Sequence, residues 1–364
     1  MVVDKMRTIS YLLNGGRFYR QWTQTIFEGG RMGQQSWTPD RILKTSGAYW
    51  ATCALHSAVF LDVFTRIGDS RMNGQTVAKQ LDAPVDTVSR LLDALTAMGL
   101  LTKDIGDYAN TEASRTYLSM DSDRYIGYII QHHHHLVASW ARLPEAVLSG
   151  KPIRLPVREK GAQAREAFLM GMFNLATQLA PLLVPVVDLS GYSKLLDLGG
   201  GPGTYAIHFC RHNPDLTAFV MDLHTTRPFA EKTIRKMGMD DRVAFIAGDY
   251  LQDDIPGSYD VVWMSHILHG ESTAGCLRII KKAFQCLNPG GAAIIHEFIV
   301  DDTLDGPLFP ALFSLNMLLG TDGGRAYSQA QLAGMLETAG FMDVHRLDFT
   351  GPNESGLIRG VKPT

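Results

Sequence analysis

Lys194-Leu195-Leu196-Asp197-Leu198 runs directly into Gly199-Gly200-Gly201-Pro202-Gly203-Thr204. A short apolar run followed at once by glycines predicts a strand, a tight turn and a helix starting near Thr204. At such a junction the backbone and the helix N-terminus can approach a ligand closely, and side chains at Gly199, Gly201 or Gly203 would block that approach. Several nucleotide-derived cofactors are bound by turns of this kind. The dinucleotide spacing GxGxxG fails here, because the sixth position counted from Gly199 is Thr204.

Downstream, Ala218-Phe219-Val220-Met221-Asp222 reads as a second strand ending in an acid, about 25 residues past Asp197. A carboxylate at that place can accept two O–H bonds from a ribose diol. Val243 to Ala247 is a third strand, followed by Gly248-Asp249-Tyr250. Tyr259 to Met264 is a fourth, followed by a helix from Thr273 to Leu287, the turn Asn288-Pro289-Gly290-Gly291 and a strand Ala292 to Ile295. Asp343 to Phe349 and Ser355 to Val361 read as a closing hairpin around Gly351-Pro352-Asn353. Strands alternating with helices predict an α/β domain with a largely parallel sheet covered on both faces.

Upstream the character is different. Residues 120–190 read as mainly helical, with breaks at Lys151 to Pro156 and at Pro181 and Pro185, and Ser190-Gly191-Tyr192 is a connector. The boundary is placed near residue 188, giving a helical domain 1–187 and an α/β domain 188–364. From Ala48 a stripe of Leu55, Val59, Val63 and Ile67 predicts a helix. A helix through Val77 and Leu81, another from Pro84 to Gly99, and a hairpin around Ile105-Gly106-Asp107 complete a winged-helix order over about 48–118. Its last helix offers Asp86, Thr87, Ser89, Arg90 and Asp93, a poor set for reading a polyanion, so a structural or dimerising role is expected. Before it, Tyr11, Phe18, Tyr19, Trp22, Phe27 and Trp37 need a partner surface: this chain's own helices or a second subunit.

With 364 residues, two domains are the prior. Apolar residues make up 45% and charged residues 20%, as in ordinary globular proteins, and the net charge of -3 argues against a nucleic-acid partner. Cys53, Cys210, Cys276 and Cys286 form no CxxC pair, the N-terminus has no signal-peptide core, and Leu179 to Leu189 is too short to span a bilayer. These features predict a cytoplasmic chain with no membrane partner.

The loop form DxGxGxG resembles the S-adenosylmethionine (SAM) motif of class I methyltransferases. A SAM site has no pyrophosphate to cradle; it must hold a zwitterionic amino acid and a sulfonium. Residues 45–362 resemble, in order, the small-molecule O-methyltransferases of the caffeate and hydroxyindole type. That resemblance implies a Rossmann-like seven-stranded methyltransferase domain preceded by a winged-helix dimerisation domain, a homodimer and a small-molecule acceptor. It implies SAM contacts at Asp197, Gly199, Gly201, Gly203, Asp222, Leu223, Asp249, Tyr250 and Ser265. Relatives carry Leu-His-Asp-Trp after the fourth strand, with the histidine as general base; here the segment is Leu268-His269-Gly270-Glu271, so His269 takes that position and the Asp-Trp is absent. Glu297 matches one of two acids that flank the base, and the second falls at Ala326, beside Tyr327, which could substitute. His266, Met172, Asn316 and Met317 match acceptor-pocket positions, although methionines at helical spacing are also ordinary core.

Histidine suits this chemistry. A phenol with pKa near about 10 is mostly protonated at neutral pH, and an imidazole titrating near about 6.5 can take its proton as attack proceeds. Two other functions stay open: C- or N-methyl transfer on the same fold, and a SAM-binding regulator using the winged helix on DNA. Of His132 to His135, only His132 and His135 share a helix face, so no metal site is expected there.

Overall fold

The computed structural model describes residues 36–155 and 161–364. They form two compact units, Ser36–Arg142 with Leu155–Gln178, and Leu143–Arg154 with Leu179–Thr364. The division therefore falls near 178, and the short helix Leu143–Ser149 goes with the later unit. The aromatic segment before residue 36 lies outside the described residues.

In the helical unit the expected order of helices and hairpin is present. Helices Gly74–Leu81 and Val85–Ala97 are followed by strands β2 (Leu101–Asp104) and β3 (Asp107–Asn110), and a two-residue strand β1 (Met72–Asn73) joins them in the order β1-β3-β2. Asn73 starts the first of these helices by accepting from Thr76 N at 2.9 Å, and Gly99 stops the second in the left-handed region, at φ 75°. The helix expected from Ala48 is split into Tyr49–Phe60 and Val63–Ile67, because Asp62 turns to φ 57°. The apolar stripe survives the break: Val59, Val63 and Ile67 are all buried in one core with Phe64, Leu92 and Leu95.

Helix Ala162–Leu183 with the turn after it, through Val186, is the one stretch among the described residues long and apolar enough to cross a membrane. Its length exceeds the expectation, because Pro181 sits inside the helix near its end, where it removes a single ladder donor. Ala167, Leu169, Ala180 and Leu183 along it are buried, while the larger part of the stretch is not.

The sheet unit contains β4 (Lys194–Leu198), β5 (Thr217–Asp222), β6 (Val243–Ala247), β7 (Tyr259–Ser265), β8 (Leu287–Val300), β9 (Tyr327–Ser328), β10 (Met342–Thr350) and β11 (Ser355–Val361). Seven strands follow the order β10-β11-β8-β7-β4-β5-β6, and β9 pairs beside β8. Neighbours from β8 to β6 are parallel, while β11 runs antiparallel between β8 and β10. Strands β4 and β7 are the most buried, with Leu195, Leu196, Leu198, Val261, Val262, Trp263 and Met264 at 0–1% exposure. The chain leaves β4 toward β5 on one side and returns to β7 on the other. That reversal opens a crevice at the carboxyl ends of these strands, the usual ligand position in an open α/β sheet.

β8 is longer than expected. It runs on past Ile295 to Val300, and its pairing with β11 sets Gly356 opposite Glu297. The acid therefore lies on a strand held on both sides, by β7 and by β11.

Candidate active site

Gly199, Gly201 and Gly203 all lie at positive φ, 67°, 54° and 78°. A Cβ on Gly199 would come 2.7 Å from Ile267 Cγ2 and 3.1 Å from Tyr250 Cε1. The turn needs glycine on both counts. Three of its donors are consumed internally: Gly199 N donates to Met221 O, Gly203 N to Gly200 O, and Gly201 N to Asp222 Oδ2 at 2.8 Å. A loop whose N–H groups turn inward is unlike a phosphate cradle, which works by aiming N–H groups at the ligand.

Asp222 closes β5 half-buried. Its Oδ1 accepts from Leu223 N (2.7 Å) and Thr226 Oγ1 (2.9 Å), so each carboxylate oxygen is aimed by the backbone around it. Burial pushes its pKa up. Each oxygen keeps acceptor capacity for a hydroxyl. Asp249 follows β6 and accepts from Leu251 N at 2.9 Å through Oδ1, beside Tyr250. Asp197 is different. It is 1% exposed beneath the loop, its Oδ2 accepts from Ala206 N at 3.3 Å, and burial raises its pKa to about 7. Ser265 ends β7 with its hydroxyl 3.0 Å from His296 Nδ1.

Beyond Ser265 the chain turns through His266, at φ 56°, a conformation that costs a non-glycine residue about 1–2 kcal/mol. The turn is pinned by His266 N donating to His296 O at 2.9 Å. It sets Ile267 over Gly199 and swings His269 back toward β8. There Glu297, 1% exposed, engages the segment three times. Its Oε1 accepts from Leu268 N (2.9 Å) and His269 N (3.1 Å), and its Oε2 faces His269 Nδ1 at 2.8 Å. Burial alone would raise the Glu297 pKa, but the facing imidazoles of His269 and His266 outweigh it and hold the carboxylate well below its ordinary range. An ionised carboxylate only accepts, so His269 carries its proton on Nδ1 and leaves the lone pair of Nε2 open.

Ala326 stands where a second acid was expected, and aromatic rings surround His269. Phe313 meets the His269 ring edge-on at 4.8 Å, and Phe298 lies 4.3 Å from the His266 ring. Tyr327 is turned away from the place of the missing acid; it is 1% exposed and its hydroxyl donates to Glu271 O at 2.6 Å, tying down the segment that follows His269. Ala326 is also buried, its N–H on Ser314 Oγ. Gly324 closes the same segment: a Cβ there would lie 2.5 Å from His269 O.

Asn316 is held by Arg154, whose guanidinium donates to its Oδ1 and to its backbone oxygen, both at 3.1 Å. Met317 is buried. Met172 belongs to the helical unit and packs on that unit's core with Leu175. The sheet unit therefore brings together Asp222, the glycine turn, Tyr250, Ser265, His266, His269 and Glu297. Arg154, Thr226, Phe298 and Phe313 were not foreseen. The Phe309/Phe313 spacing of four on one helix was the available signal for an aromatic wall.

Comparison with known proteins agrees with this geometry. Residues 150–342 match the O-methyltransferase domain family and residues 43–120 its dimerisation domain. The chain is 34% identical to a 3-hydroxy-5-methyl-1-naphthoate 3-O-methyltransferase of Streptomyces sahachiroi, over 89% of this chain and 95% of that one. It is 32% identical to the tetracenomycin polyketide synthesis 8-O-methyl transferase TcmO of Streptomyces glaucescens (89% and 97% covered), and 29% identical to the N,N-dimethyltransferase OxyT of Streptomyces rimosus (88% and 96%). The solved structure of PigF with SAH superposes with a TM-score of 0.83 at 26% identity, over 90% of this chain and all of that one. A glycine turn that departs from the dinucleotide spacing, an acid closing β5, His269 after β7 paired with Glu297 on β8, and matches over both units lead to one assignment: the chain belongs to the SAM-dependent O-methyltransferase family.

Proposed function

We propose that this enzyme methylates a hydroxyl of an aromatic or polyketide-like small molecule, with His269 as general base. The observation that carries the reading is the 2.8 Å contact between His269 Nδ1 and Glu297 Oε2, which leaves Nε2 as the proton acceptor. Gly199, Gly201, Gly203, Asp222, Leu223, Asp249, Tyr250 and Ser265 would hold the cofactor, and Asp197 supports the turn from beneath. When bound, SAM supplies an electrophilic methyl group on a positively charged sulfur. His269 takes the acceptor proton as the hydroxyl oxygen becomes a nucleophile. Glu297 holds the imidazole in that tautomer and stabilises the imidazolium that forms. Phe298 and Phe313 keep water from the ring, and a dry wall suits a step in which opposite charges cancel.

The acceptor class is supported by the named activities of the two Streptomyces O-methyltransferases. OxyT, together with the missing Asp-Trp and second acid, favours N-methyl transfer as the second reading. Both are separated by incubating the protein with SAM and a panel of hydroxylated and amino aromatics, then comparing His269→Ala. Loss of turnover with SAM affinity intact supports general-base O-methylation; near-normal turnover overturns it.

The dimerisation segment leaves Leu43, Tyr49 and Trp50 at least 60% exposed, which suits a homodimer. DNA reading is disfavoured: on helix Val85–Ala97, Arg90 is already paired with Asp86 at 2.7 Å, and Asp93 takes Lys103. Four free cysteines, three of them buried, suit a reducing cytoplasm.

A further inference from the structure

His266, His269 and Glu297 present ligand atoms that all lie within 4.8 Å of one another, the one such trio among the described residues. Nδ1 of His269 and Nδ1 of His266 lie 2.8 and 3.5 Å from the same oxygen, Glu297 Oε2. Around an ion held at about 2.0–2.1 Å, neighbouring ligands lie roughly 3.0–3.4 Å apart, so the two Glu297 separations are already close to that range, while the trio's wider separation, within 4.8 Å, has to close by about 1–2 Å on binding. Two imidazoles and a carboxylate, with water completing the shell, form a known donor set for open transition-metal sites.

A second observation points the same way. His266 Nδ1 is buried and has no hydrogen-bond partner. At 3.5 Å from Glu297 its contact is too long for a well-made hydrogen bond. Yet the backbone adopts a left-handed conformation, at φ 56°, to hold that ring beside Glu297. Glu297 is meanwhile prepared as a ligand: its other oxygen is fixed by the N–H groups of Leu268 and His269.

We propose that this trio binds one borderline divalent cation, of the Zn2+, Co2+ or Ni2+ class, and that binding switches the base off. Hard cations such as Mg2+ prefer an all-oxygen shell and are not expected here. The switch is a matter of tautomers. In the ion-free site the His269 proton sits on Nδ1 and the basic lone pair on Nε2. A cation coordinated at Nδ1 takes that nitrogen's lone pair, so the one ring proton moves to Nε2. No proton leaves the neutral ring and no covalent bond to carbon changes, but the cleft now faces an N–H instead of a base. The cation site stands on geometry alone; the loss of activity rests on His269 being the base.

The test uses the full chain stripped with chelator. CoCl2 and ZnCl2 are titrated by calorimetry, and the Co2+ form is recorded by visible absorption. Wild type is expected to bind one ion per chain. His266→Asn, chosen because asparagine tolerates left-handed backbone, is expected to keep its circular dichroism and lose at least about tenfold in affinity. A His132→Gln/His135→Gln double variant, which removes the other run of histidines, is expected to bind as wild type does. Absence of one-to-one binding, or unchanged binding in His266→Asn, overturns the site. Methyl transfer is expected to stop in the ion-loaded protein and to return with chelator, with SAM affinity unchanged. One-to-one binding through His266 with undiminished turnover overturns the switch and, separately, the base assignment of His269.

Discussion

Glu297→Gln is the substitution that tests the base assignment most directly, because it changes one proton and almost no volume. The amide can enter in two orientations. With its NH2 toward Leu268 N and His269 N, two hydrogen bonds of 2.9 and 3.1 Å become donor–donor contacts. Each buried donor left unmet costs about 1–3 kcal/mol, so the amide oxygen stays where Oε1 is now. The NH2 must then face His269 Nδ1, 2.8 Å away in the native chain, and it can only donate. His269 answers by moving its proton to Nε2, the tautomer that cannot act as base. In serine proteases the corresponding change of orienting acid to amide costs about 10^4 in kcat with geometry intact, and a loss of about 10^3–10^4, or roughly 4–5.5 kcal/mol, is expected here. Single-turnover methyl transfer measures the loss, calorimetry with SAM checks that the cofactor site is untouched, and 15N NMR of the histidines reads the tautomer without any acceptor. Turnover within tenfold of wild type, or a His269 that keeps its proton on Nδ1, would refute the reasoning.

Four further outcomes are expected. Gly199→Ala places a Cβ 2.7 Å from Ile267 Cγ2 at φ 67°, so SAM affinity measured by calorimetry should fall at least about tenfold and the melting temperature should drop. His266→Val should be less stable than His266→Gly by about 1–2 kcal/mol in urea, because the residue sits at φ 56°. Asp197 has its pKa raised to about 7 by burial, so the folded chain holds a proton that the unfolded chain has released. Its contribution is therefore present below pH ~4 and lost as pH rises through about 7, on the order of 4 kcal/mol, and Asp197→Asn should flatten that slope in urea midpoints taken from pH 5 to 8. Glu297 has the opposite sign: its depressed pKa gives stability at neutral pH that is lost as pH falls below the ordinary carboxylate range, and Glu297→Gln should lessen the acid sensitivity.

The α/β architecture was legible because β4, β5, β6 and β7 are short apolar runs that end in glycine, acid or polar residues, and buried parallel strands have that pattern. The strand-end places of Asp222 and Asp249 were legible for the same reason, since a strand end fixes which way the chain points. Three things were not. The break at Asp62 hid within a stripe whose spacing continues across it, because burial reports the period and not the backbone at one residue. The extension of β8 through Glu297 was hidden because its partner β11 lies far along the chain, and pairing over that distance leaves no local mark. Arg154 meeting Asn316, and Phe313 meeting His269, are likewise contacts between distant elements. Position alone singled out His269 as a candidate; the direction of its proton needed the 2.8 Å contact.

The place of β11 has a consequence for how the site is assembled. Glu297 is aligned by a strand that is synthesised after it, opposite Gly356, while the glycine turn, Asp222 and Asp249 all precede it in the chain. On the ribosome, β4 to β7 with the glycine turn, Asp222 and Asp249 are therefore synthesised before the strand that flanks Glu297. Insertion of β11 between β10 and β8 is a non-local event, slow by nature, and until it happens β8 around Glu297 lacks its second neighbouring strand.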